Sequence, residues 1–123
     1  MKGMFLVSKD GPEALHDLFE FQPYSYGPFT PAIYRSAEKL RDSGLAAEEA
    51  IAGRSWRYVR PTAVGVQRAA QLAESTPPDE LAAIDAAHEF VTTRGFVQLL
   101  RDLYARFPDF AVNTVVPEAA PKA

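Results

Sequence analysis

Between Phe96 and Phe107 the residues Phe96, Leu99, Leu100, Leu103 and Phe107 recur at the three- and four-residue spacing of one helix face. A stripe of that kind is stable only when another element covers it, so the chain has to fold further helices or a sheet onto this one. Pro108 stops the helix, and Arg94-Gly95 separates it from the segment before. That segment opens at Thr76-Pro77-Pro78-Asp79, with proline at the entrance and an acid in the first turn. It is expected to bury Leu81, Ile84, His88 and Val91. Upstream again, Thr62 is placed to cap a helix running to Ser75, with Val66, Ala70 and Ala73 inward.

The only strong strand signals lie in the middle of the chain. Trp56, Tyr58 and Val59 favour extended backbone, and Pro61 ends the run. The segment Leu45–Ile51 pairs with it through the turn Ala52-Gly53-Arg54-Ser55, although its alanines would also suit a helix. Immediately before comes a helix from Pro31 to Ser43, started by Thr30-Pro31 and stopped by Gly44. Ile33, Ala37 and Leu40 form its core-facing stripe, and Leu45 can fold back onto it.

Near the start, MFLV reads as the end of a helix cut off at Asp10-Gly11-Pro12, and Glu13–Phe19 as two further helical turns. The motif FQPYSYGPFTP then reads as an extended approach followed by a tight corner at Gly27-Pro28. In that reading Tyr24, Tyr26, Gly27, Pro28 and Thr30 are structural: they aim the following helix. Residues 115–123, VVPEAAPKA, read as a disordered tail after a single domain over residues 1–114. A helix, then a hairpin, then more helix is the layout of a winged helix-turn-helix. The fold class expected is therefore mainly α: a winged helix-turn-helix-like domain with a small two-stranded β-hairpin wing and additional C-terminal helices.

Little in the sequence asks for catalysis. There is no cysteine, hence no thiolate chemistry or disulfide, and no GxSxG elbow, phosphate loop or glycine-rich dinucleotide fingerprint. His16 and His88 have no partner at metal-ligand spacing, and His88 reads as a core or interface residue beside Ile84 and Val91. The acid pairs Glu48-Glu49 and Asp79-Glu80 read as a solvated strand and a helix start. No catalytic residue, metal or cofactor is expected. No apolar run approaches the roughly 20 residues of a membrane span, and MKGMFLV is too short for a secretory leader. A cytoplasmic protein with no membrane partner is the expectation.

Charge carries the functional lead. The chain is net −3, but Pro31–Ala70 holds seven basic residues against four acidic ones. Arg35 and Lys39 lie one turn apart on the helix ahead of the hairpin, with Arg41 following; Arg54 sits at the wing tip, and Arg57 and Arg60 on the next strand. Phosphates reward such residues through charge neutralisation, and arginine can also grip a guanine edge. The expectation is a non-enzymatic DNA-binding regulator, with its own promoter one natural target. The rival is an antitoxin or adaptor that captures a partner protein without touching DNA.

The segment FQPYSYGPFTPAIY, with Leu40 and Gly44-Leu45, resembles the tyrosine-glycine-proline segment and following helix of YwgA-like proteins and the related Panacea (SocA-like antitoxin) domains. LLRDLYARFPDFAVNT is similar to the YwgA-like ending, through Tyr104, Pro108, Phe110 and Asn113. The resemblance implies a winged-helix-like α fold and a regulatory role, including neutralisation of a toxin protein; it implies no catalytic residues. Such proteins carry a further helix ahead of the segment matching MFLV. Either the start of this chain is misassigned or a partner supplies the missing packing, and the expectation is a homodimer or a complex that covers the apolar surface.

Overall fold

The computed structural model describes residues 1–121. In chain order its elements are α1 (Lys2–Asp10), β1 (Gln22–Tyr24), β2 (Gly27–Phe29), α2 (Pro31–Asp42), β3 (Ala46–Ala50), β4 (Arg57–Pro61), α3 (Ala63–Ser75), α4 (Pro78–Thr92) and α5 (Phe96–Arg106). Short 3-10 turns lie at Glu13–Leu15, Pro108–Ala111 and Pro117–Ala119. The chain is mainly helical with small antiparallel sheets, as expected. The chain groups into two compact units. One is Met1–Thr30 with the chain from Pro78 onward, and the other is Pro31–Pro77.

The first unit holds the hydrophobic core. Phe5, Leu6 and Val7 of α1 pack with Ala87 of α4 and with Leu99 and Leu103 of α5. Phe5 is the hub: Phe21, Phe107 and Phe110 meet its ring edge-on at 5.3, 5.0 and 4.7 Å, the geometry that aromatic quadrupoles favour. Helix α1 approaches α4 through small residues, with Gly3 beside Val91 and Gly11 beside Ala83. Ala87 of α4 is buried there, and Phe90 and Val91 pack against the same cluster. Ile84 and His88, expected inside, are exposed, while Leu81 and Val91 are half-buried.

The stripe of α5 is buried at Leu99, Leu100 and Leu103, but its first member, Phe96, is 51% exposed. The fully buried Tyr104 joins the stripe; its hydroxyl donates to Thr114 Oγ1 at 2.9 Å. The segment expected to be a disordered tail is built in: Val116 and Ala119 are buried against Leu100 and Tyr104. Lys122 and Ala123, the end of that expected tail, lie outside the described residues. The two helical turns expected at Glu13–Phe19 shrink to one 3-10 turn, held by His16, whose Nε2 donates to the Gly11 carbonyl at 2.7 Å.

The motif FQPYSYGPFTP is a hairpin of its own. β1 and β2 pair antiparallel with Tyr24 opposite Gly27, so the reversal falls at Ser25-Tyr26, one step before the corner expected at Gly27-Pro28. Tyr24 stacks on Phe29 at 4.7 Å. Gly27, Pro28 and Thr30 are buried, while Tyr24 and Tyr26 are exposed. The C-terminal segment clamps the hairpin: the Val115 N–H donates to Ser25 at 3.0 Å, and Asn113 Nδ2 donates to Pro23 at 3.2 Å.

In the second unit, α2 ends in a Schellman motif. Gly44 has φ of 75°; its N–H donates to Arg41, and the Leu45 N–H reaches back to Leu40 at 2.9 Å. β3 and β4 then pair with Ala46 opposite Pro61 and Ala50 opposite Arg57. Gly53, also at φ 75°, lies in the connecting turn. Thr62 caps α3, accepting the Gly65 N–H at 3.1 Å. Ala46 alone is buried in this unit. Leu40 is 47% exposed, Ile33 and Ala37 are half-buried, and Val66, Ala70 and Ala73, expected inward, are exposed. The periodicities mark apolar faces correctly, but no core closes over them.

Candidate nucleic-acid interface

The second unit carries seven basic residues against five acidic ones and contains every basic residue singled out above. Helix α2 leads directly into the hairpin, and the corner between them is tied twice. The Thr62 hydroxyl donates to the Gly44 carbonyl at 2.7 Å, and the Thr62 N–H donates to Leu45 at 3.1 Å. The helix, the base of the hairpin and the start of α3 therefore meet at one braced point.

The six basic candidates divide by whether an acid already holds them. Arg41 is committed: its guanidinium lies 3.0 Å from Glu48 on β3 and 3.4 Å from Asp42. Glu48 first, and Asp42 second, raise its pKa above the ordinary arginine value. Arg60 pairs with Glu49 on the neighbouring strand at 2.9 Å, a solvent-exposed contact. Exposed pairs of this kind stabilise a fold by only about 0–1 kcal/mol, so they can be exchanged for other anions. Among the described residues, Arg35, Lys39, Arg54 and Arg57 are in no ion pair. Arg35 and Lys39 sit one turn apart on exposed positions of α2.

At the wing, Arg54 lies over the Trp56 ring with its guanidinium carbon 5.0 Å from the centroid. A ring face holds a guanidinium in place without neutralising it. Alternation along β4 sends Arg57 and Val59 to one side of the ribbon and Tyr58 and Arg60 to the other. The wing therefore does not present its arginines as one patch: Arg57 and Arg60 face apart.

Two further features of this unit lay outside the six DNA-contact candidates read from sequence, although Arg68 belongs to the basic stretch Pro31–Ala70. Trp56 serves as the platform for Arg54, a role that its strand propensity alone does not reveal. Arg68 on α3 lines an apolar depression together with Arg60; the spacing of Gly65, Ala69 and Leu72 on α3 was the available signal. Of the FQPYSYGPFTP motif, Phe21 to Thr30 belong to the other unit and Pro31 opens α2. Among the described residues, no group of three or more histidines and carboxylates could hold a metal ion. None of their helices is long and apolar enough to cross a membrane. Comparison of the chain with family models, with curated proteins and with solved structures finds no match.

Proposed function

We propose that the unit Pro31–Pro77 is a DNA reader of winged-helix type and that the protein acts as a non-enzymatic transcriptional regulator. The reading rests on one observation: among the described residues, Arg35 and Lys39 on α2 and Arg54 and Arg57 on the wing are in no ion pair. A charge left uncompensated on a helix that feeds straight into a β-ribbon suits a major-groove helix with a backbone-touching wing. In this arrangement Arg35 and Lys39 lie along the groove, and Arg54, held by Trp56, meets a phosphate or the minor groove.

The test is binding of the full chain to duplex DNA, with the promoter of its own gene as first target, across a salt series. Arg35→Ala with Lys39→Ala should remove binding while leaving the circular dichroism spectrum intact. A protein-capture module is the alternative, and the same double variant separates the two, since it should spare the capture of a protein partner. Absence of salt-dependent binding to any duplex would end the DNA reading.

A further inference from the structure

The turn half of the central hairpin gathers rings and cations. Residues 50–58 read AIAGRSWRY, with two arginines, a tryptophan and a tyrosine and no acid. Trp56 is 58% exposed and Tyr58 61% exposed, and they lie two residues apart, the spacing at which side chains of extended backbone share a side. The register tells which side Tyr58 takes. Val59 lies opposite Glu48, and Glu48 reaches Arg41 of α2, so that side of the ribbon faces α2. Tyr58 and the residue opposite it, Glu49, take the other side, and the charge of Glu49 is already held by Arg60 at 2.9 Å. Arg54 lies over the Trp56 ring at 5.0 Å and, among the described residues, is in no ion pair.

Two open rings with a free guanidinium on one of them suit a partner that is flat and anionic at once. Duplex DNA supplies the phosphates, but its base faces are stacked on one another. A run of carboxylates satisfies the arginine and leaves both rings in water. A second copy presenting the same surface would set one unpaired Arg54 against another, which like-charge repulsion disfavours. The unstacked bases of a single strand meet both demands: they stack on aromatic side chains while their phosphates run beside a cation.

We propose that Arg54, Trp56 and Tyr58 form a binding surface for single-stranded nucleic acid. Bases stack on the Trp56 and Tyr58 rings, and Arg54 holds a neighbouring phosphate. Stacking on a ring face tolerates any base, and neither contact reads the 2′-hydroxyl that distinguishes RNA from DNA. Arg57 falls on the opposite side of β4 from Tyr58 and takes no part. The proposal goes beyond the duplex reading, with which it shares Arg54 alone.

Trp56 is the one tryptophan of the chain, so intrinsic tryptophan fluorescence reports on this surface. Titrating the full chain at low salt with an oligothymidylate of about 15 nucleotides should quench it, and oligouridylate should do the same. An abasic strand of equal length carries the charge without the rings, and polyglutamate carries carboxylates; neither should quench. Tyr58→Ala, an exposed change, should weaken oligothymidylate binding about tenfold, and Tyr58→Phe, which keeps the ring, should restore it. Arg54→Ala should make the fall of log K with log salt shallower by about 0.7. Arg35→Ala with Lys39→Ala, the variant that tests the duplex reading, should leave the quenching in place, so the two readings fail separately. Equal quenching by the abasic strand or by polyglutamate, no quenching by either oligonucleotide, or an unchanged Tyr58→Ala titration would overturn the proposal.

Discussion

The hydroxyl of Thr62 is engaged twice, donating to the Gly44 carbonyl at 2.7 Å and accepting the Gly65 N–H at 3.1 Å. One side chain thereby closes the end of α2, the end of the hairpin and the start of α3 into a single corner. In a unit with so little buried apolar surface, such polar ties carry a large share of the local order.

Thr62→Ala should therefore lose more than an ordinary cap. Removing a capping threonine destabilises by about 0.5–2 kcal/mol, and the upper end is expected because the bond to Gly44 goes as well. Thr62→Ser keeps the oxygen and should recover most of the loss. Hydrogen exchange at the Gly65 amide reads this directly, and wild-type protection in Thr62→Ala would refute the role given to the hydroxyl.

Three glycine-to-alanine variants should rank in a definite order. Gly65→Ala is the worst, because a Cβ there runs into the backbone carbonyl of Leu45, which has no flexible side chain to move away. Gly44→Ala is intermediate: open space surrounds it, but φ of 75° costs an L residue roughly 1 kcal/mol. Gly95→Ala meets nothing and has no such φ, so it should be the mildest of the three, with only the loss of a favourable N-cap residue on α5. Thermal melts of the three give the order.

The segment after Thr114 should behave as part of the fold. Ending the chain at Thr114 uncovers Leu100 and Tyr104, both fully buried against Val116 and Ala119. That truncation should lower the melting temperature and raise binding of a hydrophobic dye. Tyr104→Phe should cost about 1 kcal/mol through loss of the bond to Thr114. A truncated chain as stable as the full one would show that the packing contributes nothing.

For DNA binding the salt slope is the quantitative measure. Each neutralised phosphate contributes about 0.9 to the fall of log K with log salt. If Arg35 and Lys39 each contact one phosphate, restoring measurable binding of the double variant at low salt should reveal a slope shallower by about 1.8. An unchanged slope would mean that these residues contact base edges or nothing at all.

Acid stability should depend on Asp102. Arg94 Nε donates to its carboxylate at 2.6 Å and Gln98 Nε2 at 2.7 Å, and these contacts, Arg94 foremost, hold the Asp102 pKa below the ordinary aspartate value. A folded-state pKa below the unfolded one means stability that is present above the unfolded value and lost as pH falls through the folded value. Asp102→Asn should lower stability at neutral pH, change little at the acid end, and so flatten that limb. Urea midpoints measured between pH 2 and pH 7 give the comparison, and identical limbs would refute it.

The α-helices and the central hairpin are legible in the sequence because their signals are local. Gly44 stops α2 through a backbone conformation that glycine adopts readily, and Thr62 starts α3 through a hydrogen bond spanning three residues. The β1–β2 hairpin is less legible, since strands of three residues leave almost no alternation to read and Pro23 and Pro28 disguise them. The basic candidates could be named from sequence, but their division could not. Arg41 and Arg60 are taken by Glu48 and Glu49, and a pairing across strands depends on register.

The sequence by itself determined where α2, α3, α4 and α5 begin and end to within a residue or two, because capping, proline and glycine act within a few residues of themselves. Only the tertiary structure decided which apolar faces are covered. Leu99, Leu100 and Leu103 meet α1, α4 and the C-terminal turn, whereas Val66, Ala70 and Leu72 meet too little to be buried. Periodicity reports that a face is apolar, but burial depends on what comes to lie against it, which is a property of the whole chain and of its partners.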